Sequence, residues 1–199
     1  MGLESANRNP MTPRRFFTTS GQPFAYTRLD RRAGIAHERG CYVMADDGQA
    51  VPLVPAKIYK EVQAHCHEGE RLMAAGNHNK AFHQFLQALD LLPLPREQWN
   101  AAGWILVAVG ENAFRAGSFR AAEQPLQDAM WAPGTIGNPW VHLRLGQVKF
   151  ELGNMKHAAD ELARAYLGGG RDIFEDQDPK YLALVEEVLE PPPGMDRLP

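Results

Sequence analysis

The sequence predicts an all-α protein: an α-solenoid in which three helical hairpins stack in a row and a C-terminal helix caps them. Three observations carry this prediction. Small residues recur at fixed positions in three copies, apolar residues follow the helical period from Pro55 almost to the end, and Pro- or Gly-rich stretches separate the copies. One hairpin cannot bury its apolar face alone, so the copies are expected to share one core.

The first hairpin is predicted over about residues 55–93. Gly69 and Ala81 allow two helix backbones to approach closely, and the chain turns around Gly76. Phe85 fills the gap between the helices, and Pro93 ends the second one because proline cannot continue a helix.

The same spacing recurs twice, which predicts further hairpins over about residues 96–132 and 138–167. Each copy has two glycines seven residues apart, alanines five and twelve residues after the second glycine, and a large residue between the alanines. The copies are Gly69, Gly76, Ala81, Phe85 and Ala88; Gly110, Gly117, Ala122, Leu126 and Ala129; and Gly146, Gly153, Ala158, Leu162 and Ala165.

The last helix is predicted over about residues 178–190. Asp178-Pro179 supplies an N-cap followed by proline at the first helical position, as Asn138-Pro139 does for the third hairpin. This helix has an apolar face for the third hairpin and a glutamate-rich face for solvent, as a capping helix requires. Residues 191–199 are predicted to form a disordered tail.

Residues 1–54 are predicted to be a poorly ordered, Arg-rich N-terminal segment followed by a linker. Residues 1–40 contain seven arginines and three acids, a net charge of +4, and too few periodic apolar residues to offset the entropy of ordering. A disordered leader is the favoured interpretation. The alternatives are a basic arm that contacts an anionic partner and an organelle-targeting peptide.

The repeat pattern resembles the tetratricopeptide repeat, whose unit is two antiparallel helices. This resemblance implies that the first helix of each hairpin lines a partner-binding groove, with Trp104 and Trp140 as anchors and glutamates at its edge. The implied groove residues are Cys66, Glu70, Met73, Trp104, Val107, Glu111, Phe114, Trp140, Leu143, Gln147 and Phe150. Tetratricopeptide co-chaperones that bind acidic peptide tails have lysine, arginine and asparagine at these positions, so such tails are not expected here.

Residues 137–147, and residues 165–170 followed by residues 178–181, are similar to short bacterial tetratricopeptide proteins that act as immunity factors against a cognate toxin domain. The leading hypothesis is therefore a non-enzymatic, cytoplasmic immunity protein that neutralises a toxin domain. A chaperone or adaptor for a secreted protein is the alternative. A metal-dependent enzyme that uses the histidines is the alternative of another class.

Charge and composition limit the kinds of partner that are expected. Residues 41–199 carry fourteen basic and twenty-one acidic residues, a net charge of −7, which favours a basic protein over nucleic acid. No run approaches the roughly 18 apolar residues of a membrane span, so no membrane partner is expected. Two cysteines are too few for a disulfide framework, which favours a reducing compartment.

The residues suggest no catalytic site, cofactor or metal. His65-Cys66-His67 invites a metal interpretation, but side chains two residues apart on a helix point in nearly opposite directions. No phosphate-binding loop, nucleophile elbow or paired-carboxylate motif is present.

Overall fold

The computed structural model describes residues 36–37, 40–44, 50–52, 54–191, 193–194 and 198. Within these residues there are seven α-helices: the first six form three antiparallel pairs, each packed against the next, and the seventh packs against the last pair. They are α1 (Ala56–Ala74), α2 (His78–Asp90), α3 (Asn100–Arg115), α4 (Phe119–Ala129), α5 (Pro139–Glu151), α6 (Met155–Gly169) and α7 (Pro179–Val188). Short 3₁₀ helices at Arg96–Gln98 and Arg171–Phe174 lie in the connections. The predicted all-α class is confirmed.

Three short strands precede α1: β1 (Ala36–His37), β2 (Gly40–Met44) and β3 (Ala50–Pro52). They pair antiparallel in the order β1-β2-β3, with Val43 opposite Val51. The sequence does not predict them, because two- to five-residue strands are too short to show a clear alternation. The rest of the predicted Arg-rich segment lies outside the described residues.

The repeated small and large residues form the central contact of each hairpin. A Cβ atom built on Gly69 would lie 2.5 Å from the Phe85 ring, and one built on Gly110 would lie 2.5 Å from Leu126. The third hairpin repeats this contact with Gly146 and Leu162 at 2.7 Å. Glycine is therefore required at the repeated position, since a side chain there would displace the large residue that fills the gap.

The turn inside each hairpin has one geometry. Gly76, Gly117 and Gly153 have φ angles of 74°, 71° and 76°, in the left-handed region that favours glycine. After the first of them, Asn77 N–H donates to Leu72 C=O at 2.8 Å, and the other two turns contain the equivalent bond at 2.9 Å. This is the Schellman pattern, which ends each first helix and directs the chain back along it.

The buried residues form a core that continues along the stack. One cluster joins the first two hairpins, a second joins the second and third, and the last joins the third hairpin to α7. The predicted caps of α5 and α7 are present, since the Asn138 and Asp178 side chains accept bonds from Trp140 N–H and Lys180 N–H. Leu198, in the segment predicted as a disordered tail, is buried in the last cluster.

Candidate partner-binding groove

The predicted groove residues lie on α1, α3 and α5, the first helices of the three hairpins. Seven of these eleven residues are buried and form what we call the groove floor: Cys66, Met73, Trp104, Val107, Glu111, Leu143 and Gln147. The other four keep part of their surface in solvent, and we call them the groove lip: Glu70, Phe114, Trp140 and Phe150. The floor side chains are thus not available to a partner, whereas the lip side chains are.

Packing of α3 against the first hairpin, chiefly against α2, explains the burial of the floor in the first two hairpins. Cys66, Met73, Trp104 and Val107 all belong to the first core cluster. Trp104 is only 4% exposed, so the prediction that it anchors a partner is corrected: it is a core residue. Trp140 remains the accessible tryptophan of the groove.

A buried ion pair crosses the floor between α3 and α5. The Glu111 carboxylate is fully buried and lies 2.5 Å from Arg144 Nε and 2.6 Å from Arg115 Nε. The prediction that Glu111 forms an acidic edge of the groove is therefore wrong. Burial lowers the pKa of the Arg144 guanidinium, and the negative charge of Glu111 opposes that effect. Two arginines surround one carboxylate, so this part of the groove presents no negative charge.

The Arg144 side chain also joins the aromatic residues of the lip. Its guanidinium carbon lies 4.2 Å from the centroid of the Phe114 ring and 5.0 Å from that of Trp140, while Nη1 donates to Gln147 Oε1 at 2.6 Å. Cation–π contacts of this kind are worth about 0.5–2 kcal/mol. The network fixes both rings in place, so the lip is preorganised.

Comparisons with known proteins decide the fold. No protein-family model and no curated protein matches the sequence. Among solved structures, the Sgt2 TPR domain from Aspergillus fumigatus has a TM-score of 0.49 and 20% identity over 68% of this chain and 89% of its own. The first TPR of Spaghetti (RPAP3), bound to the HSP90 peptide SRMEEVD, has a TM-score of 0.52 and 12% identity over 63% of this chain and 91% of its own. The chain has the tetratricopeptide-repeat fold.

In this tetratricopeptide-repeat fold, α7 covers the groove residues of the third hairpin. Leu143 lies in the same buried cluster as Tyr181 and Val185 of α7. The Phe150 ring packs edge-on against Tyr181 with a centroid distance of 5.4 Å, and Gln147 Nε2 donates to Gln177 Oε1 at 2.8 Å. The groove that remains open therefore centres on Phe114 and Trp140.

Polar contacts hold α7 in this position. Glu151, at the end of α5, accepts a hydrogen bond from Tyr181 Oη at 2.7 Å and forms a salt bridge with Lys180 Nζ at 2.8 Å. Burial raises the pKa of Glu151, but the bonds from Lys180 and Tyr181 together outweigh burial and leave this pKa below its usual value. The docked α7 is thus favoured by an ionised Glu151.

Three histidines connect neighbouring helices. His65 Nδ1 lies 2.8 Å from Gln84 Oε1, His78 Nδ1 lies 3.0 Å from Asn112 Oδ1, and His142 Nδ1 lies 2.6 Å from Glu161 Oε2. Nowhere in the described part of the chain do three His, Cys, Asp or Glu side chains form a group that could hold a metal ion.

Cys66 is a buried free thiol. Burial raises its pKa, and the negative charge of Glu70 raises it further. Because the thiolate is the reactive form, this cysteine is suited to packing rather than to nucleophilic chemistry.

No helix among the described residues combines the length and the apolar character that crossing a membrane requires.

Proposed function

We propose that this protein is a non-enzymatic binding module that holds a protein partner at the groove lip, and specifically an immunity protein that neutralises a bacterial toxin domain. The observation that carries the binding proposal is the fixed aromatic pair Phe114 and Trp140, which stays partly exposed around the buried Arg144. Preorganised aromatic side chains are common binding hot spots, because they bury a large area and lose little conformational entropy on binding.

The charges at the groove favour a basic or neutral partner over an acidic one. Arg144 is the cation nearest the lip rings, and Glu111 already neutralises it. Glu70 contributes the one carboxylate of the lip itself. The Spaghetti domain was solved with the acidic peptide SRMEEVD, whereas the arginine beside Phe114 and Trp140 in this chain is already paired with Glu111. The chain is thus expected to differ from that protein in its ligand.

The narrower immunity proposal rests on charge and on the similarity of residues 137–147, 165–170 and 178–181 to short immunity proteins. Residues 41–199 carry a net charge of −7, and electrostatic complementarity speeds association with a basic domain. An immunity protein acts by occlusion, which needs a rigid surface and no catalytic group.

The test uses the full chain and a toxin domain to be identified among the products of the genes beside its own. Trp140→Ala removes the accessible ring, and its affinity for that domain should fall roughly 30-fold or more, the effect expected of a hot spot. Phe82→Ala is the matched control, because Phe82 is 39% exposed on α2, outside the groove. Trp140→Phe should restore most of the affinity, and circular dichroism should show that each variant is folded.

A growth assay with cells that express the toxin domain distinguishes an immunity protein from a chaperone or adaptor. Wild-type protein should restore growth, and Trp140→Ala should not. Binding without restored growth would indicate a chaperone or adaptor, and unchanged affinity of Trp140→Ala would show that the groove lip is not the site.

A further inference from the structure

The two edges of the solenoid differ in composition. The turns inside the hairpins lie at one edge, and the connections between hairpins lie at the other. We call the second one the inter-hairpin edge and define it as residues 90–99, 128–138 and 169–178. A Cβ atom built on Gly134 would lie 2.9 Å from Asn100 Oδ1, and one built on Gly168 would lie 2.7 Å from Pro139 Cγ. Each connection therefore ends close to where the next one begins, so the three connections lie along the same edge.

Large apolar side chains are exposed along this edge. Trp131 is 84% exposed, Leu94 80% and Ile136 68%, and Leu167, two residues before the third connection, is 76% exposed. These are the four most exposed large apolar side chains among the described residues. Exposed apolar residues gathered on one surface indicate an interaction site.

The loop that carries Trp131 and Ile136 is anchored rather than loose. Thr135, between them, is fully buried, and its hydroxyl donates a shared hydrogen bond to the carbonyl oxygens of Ala129 and, at 2.9 Å, Ala132. A Cβ atom built on Gly103 of α3 would lie 2.7 Å from Thr135 Oγ1, so the loop sits directly on α3. The exposed Trp131 ring is thus attached to a loop whose backbone is held in place.

Charge identifies the kind of partner. The inter-hairpin edge contains seven acids and two arginines, a net charge of −5, and both arginines are in salt bridges, Arg96 with Asp90 and Arg171 with Glu186. The opposite edge, residues 74–79, 115–120 and 152–157, contains three bases and no acid, a net charge of +3. The exposed apolar side chains are therefore concentrated at the acidic edge.

We propose that the inter-hairpin edge is a second docking surface, separate from the groove, for a protein segment that has an apolar face rimmed by lysine or arginine. Trp131 and Ile136 would enter the apolar face. Carboxylates of the same edge would meet the basic rim, among them Glu97, Asp172, Glu175 and Asp176, none of which forms a salt bridge within the described residues. This proposal holds whether or not the groove binds a partner.

The probe is a basic amphipathic peptide, LKKLLKLLKKLLKL, and its acidic counterpart, LEELLELLEELLEL, is the control peptide. Both are titrated into ¹⁵N-labelled full-length protein while the indole N–H signals of the tryptophans are followed by NMR. The Trp131 signal, assigned with Trp131→Phe, should move with the basic peptide alone. The Trp140 signal in the same spectrum reports binding at the groove. Binding at the groove and binding at the inter-hairpin edge are therefore observed separately.

Variants complete the test. Trp131→Ala combined with Ile136→Ala should weaken binding of the basic peptide about tenfold or more. Met155→Ala is the matched control, since Met155 is 43% exposed at the opposite edge, and it should leave the affinity unchanged. Movement of the Trp140 signal instead, or equal binding of both peptides, overturns the proposal. A Trp131 signal that moves with protein concentration alone also overturns it, because the occupant would then be a second copy.

Discussion

Replacing Glu111 with glutamine tests whether charge fixes the groove floor. The substitution keeps the shape of the side chain and removes its charge, which leaves the buried Arg144 without a counterion. Arg115 can turn toward solvent, because its side chain is already 32% exposed, but the Arg144 side chain is only 6% exposed and cannot. The substitution therefore destabilises the protein mainly because Arg144 stays buried without a counterion.

The structure sets the size of this effect. Breaking a buried ion pair by removing one partner costs about 3–5 kcal/mol. Glutamine still offers a carbonyl oxygen to Arg144, so we expect the lower end, about 3 kcal/mol. In a protein of this size each kcal/mol shifts Tm by roughly 2–4 °C, which predicts a decrease of about 6–12 °C.

Urea unfolding followed by circular dichroism measures the effect. Glu111→Leu combined with Arg144→Met removes both charges and should recover most of the stability, because no unpaired charge then remains buried. Glu68→Gln is the matched control: Glu68 forms an exposed salt bridge with Arg71, and its loss should not measurably change the urea midpoint. If Glu111→Gln had the same urea midpoint as the wild-type protein, the conclusion that the Glu111–Arg144 ion pair stabilises the groove floor would be wrong.

Three further predictions concern the scaffold. Gly69→Ala should lower the free energy of unfolding by about 1–3 kcal/mol, because its methyl group would overlap the Phe85 ring, and urea unfolding measures this loss. Cys66 should resist iodoacetamide in the native protein and react only in denaturant, as mass spectrometry of its peptide will show, since burial raises its pKa. The pKa of Glu151 is lowered in the folded state, so its contribution is complete above its usual value of 4.5 and is lost as pH falls through the lower, folded value. Hydrogen exchange in α7 should therefore rise in that acidic range, and Glu151→Gln should remove that dependence.

The fold could be predicted because the repeat consists of residues whose effect on helix packing and helix ends does not depend on the rest of the structure. A glycine opposite a large residue, as at Gly69 and Phe85, specifies close helix packing wherever it occurs. Proline after a capping side chain, as at Asn138-Pro139, specifies a helix start in the same way. Such local signals suffice for helices and for their pairing.

The groove could be predicted only in part, because exposure depends on what packs over a residue. Periodicity places Trp104 and Trp140 at equivalent positions, yet Trp104 is buried in the core and Trp140 is not. Arg144 was missed for a related reason, since an arginine within an apolar helix gives no indication of its partner. Its position four residues after Trp140 was the available signal, because residues at that spacing share a helix face.

Burial of the floor also changes which surfaces can discriminate between partners. With α7 over the third hairpin and Glu111 neutralised, the lip keeps few polar groups with which to select one partner among many. Apolar contacts supply affinity, but selectivity needs charges that a wrong partner cannot satisfy. Exposed carboxylates of this kind lie along the inter-hairpin edge, to which Trp131 also belongs. A partner that touches both surfaces would gain further affinity at the lip and selectivity at the inter-hairpin edge, and the lip alone would not account for specific recognition.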